Sequence, residues 1–296
     1  MKKILLTGVN GQVGHALQAM LTNAEVVATD VETLDLTNVT AIRDFVQATQ
    51  PDLIINPAAY TAVDKAETEA ALAYAVNAVA PGILAEEAAK LGAAMIHFST
   101  DYVYDGYQST HYVETDVPNP VSVYGKSKLA GEQAVQAAGI PHLILRTSWV
   151  YGSFGKNFLK TILRLAGERE SLRIVADQYG APTTDLSIAR AVCELVDVWQ
   201  PQDATQTGIY HLVNAGETSW HGFAEAIVAQ YRSIADSKHW PALSVREIQA
   251  IASAEYPTPA ARPLNSRLST AKLARQFGVQ LPDWPLALAE VMRDMP

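Results

Sequence analysis

Tyr124 and Lys128 are the residues whose types and spacing most directly suggest chemistry. They stand four apart in Tyr124-Gly125-Lys126-Ser127-Lys128, and on a helix positions i and i+4 share a face. A phenol with an ordinary pKa of about 10 exchanges protons poorly at neutral pH. An ammonium one helical turn away favours the phenolate and is expected to bring that pKa down. Such a pair can exchange a proton with a carbonyl or alcohol oxygen while hydride moves at carbon. Thr100 belongs with them. It closes the segment Phe98-Ser99-Thr100-Asp101, so its hydroxyl should project from the carboxyl end of a strand, the edge where open α/β sheets bind ligands. From there it can donate a hydrogen bond to the substrate oxygen that Tyr124 protonates.

Hydride needs a carrier, and the N-terminus has a loop suited to one. The apolar run at 4–6 enters Thr7-Gly8-Val9-Asn10-Gly11-Gln12-Val13-Gly14 and then a helical pattern. Gly8, Gly11 and Gly14 at a strand-to-helix turn let backbone approach a pyrophosphate, and the helix N-terminus offers free N–H groups. A second apolar run ends at Asp30, where a carboxylate suits the adenosine ribose hydroxyls. A carboxylate there repels a 2′-phosphate and so favours NADH, with use of NADPH left open. Asp35-Leu36 has two readings, as a cap of the next helix or as a neighbour of adenine.

The elements that must position these residues follow from periodicity. Apolar runs at 4–6, 26–28, 53–55, 95–98 and 143–145 alternate with helical patterns at 12–21, 39–49, 66–91 and 124–138. Near-continuous apolar strands between helices make a parallel sheet covered on both faces. Pro81-Gly82 is expected to break or kink the third helix. Beyond about residue 147 the rhythm is mixed, with strands expected at 172–175 and 209–213, helices at 186–198, 220–231 and 270–277, and many prolines from Pro241 onward. The fold class expected is α/β: a Rossmann-type doubly wound parallel sheet with a smaller mixed C-terminal domain. Residues 1–150, with returning segments near 176–215, would bind the dinucleotide; 151–175 and 216–296 would bind substrate.

Composition sets outer limits. A chain of 296 residues, 49% apolar and 18% charged, can bury a full core. Its net charge of −9 argues against nucleic acid, which wants a basic face. No stretch nears the ~18 apolar residues that span a bilayer, and the start is too short for a signal-peptide core. The single cysteine, Cys193, excludes an internal disulfide, fits a reducing cytoplasm and is read as packing. His97 is read as packing or pairing, and no His/Cys/Asp/Glu grouping has metal-ligand spacing.

Taken together, these segments resemble the extended short-chain dehydrogenase/reductase superfamily, and within it the dTDP-4-dehydrorhamnose reductases. The likeness runs nearly end to end. Besides the glycine loop it includes Asn56-Pro57-Ala58-Ala59-Tyr60-Thr61, Ser99-Thr100-Asp101-Tyr102-Val103-Tyr104, the stretch around Tyr124 and Lys128, Arg146-Thr147-Ser148-Trp149-Val150-Tyr151-Gly152, and Arg262-Pro263-Leu264-Asn265. The resemblance implies that Gly11, Gln12 and Val13 touch cofactor phosphates and that Ala59, Tyr60 and Thr61 line the cofactor channel. It further implies that Phe98 lies near the nicotinamide, that Thr100 and Asp101 meet the sugar, and that Trp149 lies against it. Lys128 would also hydrogen-bond the nicotinamide ribose. The implied reaction reduces the 4-keto group of a dTDP-deoxyhexose with NADH or NADPH.

Plainer readings stand beside these. Trp149 could fill core, Arg262 and Asn265 could face a diphosphate or tie down a proline-rich loop, and the segment from Asp64 to Glu67 could be a solvated helix start. Pro57 stands where the family usually has Ala or Cys. Relatives that dimerise through magnesium carry a carboxylate early in the first helix; Gly14-His15-Ala16-Leu17 stands here. A metal-bridged dimer is therefore not expected, a magnesium requirement stays open, and the resemblance leaves room for a homodimer. Dehydratases of the same fold carry an Asp-Glu pair after the threonine, which Asp101-Tyr102 lacks. Epimerases, and a non-catalytic partner subunit like that of methionine adenosyltransferase, are the remaining alternatives.

Overall fold

Five apolar runs from the first half of the chain, and one from the second, pair as a six-stranded parallel sheet. The computed structural model describes residues 2–295. In chain order the first half holds β1 (Lys3–Leu6), α1 (Gln12–Met20), β2 (Glu25–Ala28), α2 (Val39–Thr49), β3 (Leu53–Asn56), α3 (Val63–Ala66), α4 (Ala70–Tyr74), α5 (Ala80–Leu91), β4 (Ala94–Thr100), α6 (Val123–Ala137) and β5 (His142–Thr147). The chain then makes β6 (Val150–Tyr151), α7 (Phe158–Glu168), β7 (Ser171–Val175), β8 (Tyr179–Gly180), β9 (Thr183–Thr184) and α8 (Asp185–Val198). It returns to the sheet with β10 (Gly208–His211), parallel to β5. Last come β11 (Thr218–Ser219), α9 (Trp220–Lys238), β12 (Glu247–Ile251), β13 (Asn265–Ser266), α10 (Ala271–Phe277) and α11 (Trp284–Asp294).

The strand order is β2-β1-β3-β4-β5-β10. From β1 the chain steps to one side for β2 and then crosses to the other for β3. The connections leaving β1 and β3 therefore diverge, opening a crevice at the carboxyl edge. Alternation along each strand supplies two cores. Ile4, Leu6, Ile55, Ile96, Phe98, Leu143 and Leu145 pack with α1 and α8; Leu5, Ile54, Met95 and Ile144 pack with α2 and α5. Cys193 is partly buried against the first of these, as packing predicts.

The expected helix over 66–91 is interrupted earlier than Pro81-Gly82. Between α4 and α5 lies a π-helical turn, Ala75–Val79. Pro81 has no N–H to give the carbonyl of Asn77, so the ladder changes register just before it. The turn is used. The Asn77 side chain accepts from the Tyr60 N–H (2.8 Å), and its amide donates to the Tyr60 carbonyl (3.0 Å) and to Ser127 Oγ (3.0 Å). α6 lies directly on this turn, because a Cβ at Gly131 would stand 2.0 Å from Asn77 O.

A third apolar cluster joins Leu159 and Ile162 of α7, Leu172 of β7, Phe223 and Ile227 of α9, and Leu288 and Met292 of α11. Helices α7 and α11 were not expected from the sequence. Both had a readable signal: Leu159, Ile162, Leu163 and Ala166 form a helical stripe behind the Asn157 cap, and α11 opens with Pro285 in its first turn. Among the described residues no helix is long and apolar enough to cross a membrane.

Candidate active site

The crevice at the carboxyl edge is a cleft of about 810 Å³. Gly8, Gly11, Gln12, Val13 and Gly14 line its floor; Asp30, Asp35 and Leu36 line the side toward β2. Ala59, Tyr60 and Thr61 lie beyond β3, and Phe98, Tyr124 and Lys128 complete the side toward β4. The glycine turn admits no side chains. Gly8 has φ +63°, and a Cβ there would lie 2.8 Å from Ala58 Cα; one at Gly14 would lie 2.2 Å from Gly8 O. A bare backbone cradle at the start of α1 fits a dinucleotide diphosphate.

At the β2 end, Asp30 accepts from Asn10 Nδ2 (2.7 Å), from the N–H groups of Glu32 (3.1 Å) and Thr33 (3.0 Å), and from Thr33 Oγ1 (2.9 Å). These hydrogen bonds, that of the Thr33 backbone foremost, hold its pKa below the usual carboxylate value. Asp35 does not cap α2. Asn38 does, accepting from the Ala41 N–H at 3.0 Å, while Asp35 closes a turn on Thr37.

At the β4 end, α6 starts on Ser122, whose Oγ accepts from the Gly125 N–H (3.1 Å), and this places Tyr124 in the first turn. The Tyr124 ring meets Tyr102 edge-on, with centroids 5.5 Å apart. Burial pushes the Tyr124 phenol well above its ordinary pKa, with the neighbouring Thr100 hydroxyl pulling the other way. That corrects the expectation from spacing. The Lys128 ammonium does not lower the phenol here, because Nζ donates to the Phe98 carbonyl (2.6 Å) instead. Lys128 is itself brought down to about 8 by burial, against the opposing pull of Glu132. Thr100 Oγ1 donates to Asp101 Oδ1 (3.0 Å) and accepts from the Tyr102 N–H (3.2 Å). Burial raises the Asp101 carboxyl to about 6.

Beneath this end runs a buried polar chain. Arg146 on β5 holds Glu132 on α6 through Nε–Oε1 (2.8 Å) and Nη2–Oε2 (2.5 Å), and Ser99 on β4 donates to the same carboxylate (2.5 Å). Both charged side chains are 1% exposed. Arg146 also donates to Tyr104 Oη (2.6 Å), which meets His211 Nε2 (2.9 Å). His97 pairs through Nδ1 with Asn56 (3.1 Å), which accepts from Thr7 (2.6 Å); it is buried and held well below its ordinary pKa by desolvation.

Trp149, Arg262 and Asn265 do not line the cleft. Trp149 follows β5 with φ +49°, a strained conformation for a non-glycine residue. Its ring stacks on Trp220, with centroids 3.6 Å apart. Arg262 pairs with Asp64 (2.7 Å) and donates to Tyr102 Oη (3.3 Å), which places it behind the Tyr102–Tyr124 contact. The amide of Asn265 is committed at both ends: it donates to the carbonyls of Gln108 (2.7 Å) and Thr110 (2.8 Å) and accepts from Arg267. It staples the loop at residues 108–110. The segment from Asp64 to Glu67 is not merely solvated. Asp64 takes Arg262, and Glu67 accepts the Val123 N–H at the head of α6 (2.9 Å). No site role was legible in the sequence for Tyr102, Trp220 or Lys156, because only the fold brings the first two against Tyr124 and Trp149 and the third to the cleft. No metal-binding group of three or more His, Cys, Asp or Glu occurs among the described residues.

All 296 positions, residues 1–296, match the family model of the RmlD substrate binding domain. The dTDP-4-dehydrorhamnose reductase of Burkholderia thailandensis is 45% identical over 99% of each chain. Among solved structures, the dTDP-4-dehydrorhamnose reductase of Clostridium acetobutylicum superposes with a TM-score of 0.89 at 38% identity over 98% of both chains. That of Bacillus anthracis, in complex with NADP, does so at 0.89 and 34% identity over 99% of both. With this sheet order and this cleft, and with likeness along its whole length, the chain belongs to the dTDP-4-dehydrorhamnose reductase family.

Proposed function

We propose that the chain reduces the 4-keto group of dTDP-4-dehydro-6-deoxy-L-mannose, giving dTDP-L-rhamnose, with Tyr124 as proton donor. The observation that carries this reading is the convergence of Tyr124 and Lys128 at one end of a cleft whose floor suits a dinucleotide, with the Thr100 hydroxyl set against the Tyr124 phenol from outside the lining. Reduced NAD(P)H, when bound, supplies hydride. The protein supplies the proton. A donor must hold its proton at neutral pH, and the raised Tyr124 phenol does so. As the phenol oxygen releases its proton to the sugar O4, the neighbouring Thr100 hydroxyl steadies the phenolate, while Lys128, anchored on the Phe98 carbonyl, is left to hold the nicotinamide ribose. Asp101-Tyr102 lacks the second carboxylate that elimination of water needs, which sets a dehydratase aside. The segments 151–175 and 216–296, with their own apolar cluster, are assigned to the sugar nucleotide, and the enzyme to the cytoplasm as a homodimer. Trp149 and Asp101 are assigned to the sugar side.

Purified protein should consume NADH or NADPH only when the 4-keto sugar nucleotide is supplied, as read by loss of nicotinamide absorbance and identification of the sugar formed. An epimerase would change the sugar with no net loss of cofactor, and a binding module would do neither. The pH profile tests the role of Lys128. Its ammonium is present below about 8 and lost above it, so kcat should fall as pH rises through that value, by roughly tenfold per unit. A kcat that stays flat between about pH 7 and pH 10 would remove Lys128 from the mechanism.

A further inference from the structure

The loop between β6 and α7 belongs to the second half of the chain, yet it is fastened to the glycine cradle. Phe154 stacks on His15 of α1, with centroids 3.9 Å apart and planes within 10°. Asn157 makes the second attachment. Its Oδ1 caps α7 by accepting from the Lys160 N–H (3.0 Å), and its Nδ2 donates to Gln12 Oε1 (2.9 Å) and to the Gly152 carbonyl (2.8 Å). One side chain thus ties the starts of α7 and α1 together. Between Phe154 and Asn157 sit Gly155 and Lys156, and both line the cofactor cleft.

The charges along that cleft are uneven. Asp30 and Asp35 line it, and the whole chain carries −9, a field that opposes a dianionic diphosphate. Two cations line it in return: Lys128, buried and bound to the Phe98 carbonyl, and Lys156, exposed and in no hydrogen bond or ion pair among the described residues. We infer that Lys156 is the cation that holds the cofactor diphosphate, and that the loop at residues 152–157 is a clamp reaching across from the second half of the chain onto the glycine turn. The inference rests on the reductase reading for the identity of the ligand. Lys156 has no structural partner to lose, so its replacement should leave the fold intact.

Binding of NADH in the absence of sugar, followed by calorimetry, is the test. Lys156→Gln should raise Kd by about tenfold and flatten the dependence of Kd on salt, while Lys156→Arg should retain wild-type binding. ADP-ribose, which has the diphosphate and no nicotinamide, should weaken in parallel. Unchanged NADH binding and salt dependence in Lys156→Gln would overturn the assignment and leave the reductase reading standing. Loss of affinity for NADH but not ADP-ribose would move Lys156 to the nicotinamide end, which also overturns it. Failure of the wild-type chain to bind either NADH or NADPH would overturn both.

Discussion

Tyr124→Phe should lower kcat by about a thousandfold while leaving NADH binding within about twofold of wild type. The substitution removes one oxygen from a side chain whose ring packs edge-on against Tyr102, and that contact survives in Phe. Lys128 is anchored to the Phe98 carbonyl and not to the phenol, so it keeps its place. What disappears is the proton for the sugar O4, and the loss should sit in kcat more than in KM, because the donor acts in the transition state. Single-turnover kinetics with the 4-keto sugar nucleotide, beside a thermal melt, separates this from misfolding. Undiminished turnover would end the case for Tyr124 as the donor.

The second large effect is on stability. Arg146→Met should cost about 3–5 kcal/mol. It leaves Glu132 charged at 1% exposure, with Ser99 as the one side-chain donor still paired to it. The consequence reaches the site, because Glu132 lies one turn beyond Lys128 on α6, and its grip on β5 and β4 sets the rotation of the helix that carries Tyr124. The double variant Arg146→Met/Glu132→Leu should recover most of the loss, since a buried ion pair exchanged for apolar groups of similar volume is often neutral. Urea titration of the three proteins measures both quantities. A single variant less than about 1 kcal/mol below wild type would show that the pair is not what fastens the helix.

Much of this was legible in the residues alone. Four of the five N-terminal apolar runs, those of β1, β3, β4 and β5, became strands because burial on both faces leaves little else for them to be, while β2 is the partly exposed edge. The spacing of Gly8, Gly11 and Gly14 forecast the bare turn because only residues without a Cβ can stand that close to Ala58 Cα and Gly8 O. Tyr124 and Lys128 shared a helix face as periodicity requires. Spacing could not say what each side chain would hold once packed. The phenol rises in pKa where a neighbouring ammonium was expected to lower it, because its enclosure depends on Tyr102 and the end of β4, and Lys128 finds a carbonyl 30 residues away in the chain.

The shared helix face of Tyr124 and Lys128, the glycine turn bare of side chains and the alternation of strands and helices are local or periodic properties, and the sequence by itself determined them. Tertiary structure decided the partners. Asn265 is spent on two loop carbonyls, Asp64 holds an arginine 198 residues away, and Asn157 reaches Gln12 across 145. Hydrogen bonds and ion pairs are short-ranged, so which groups meet depends on where the sheet and its crossovers carry the chain, and no local pattern records that.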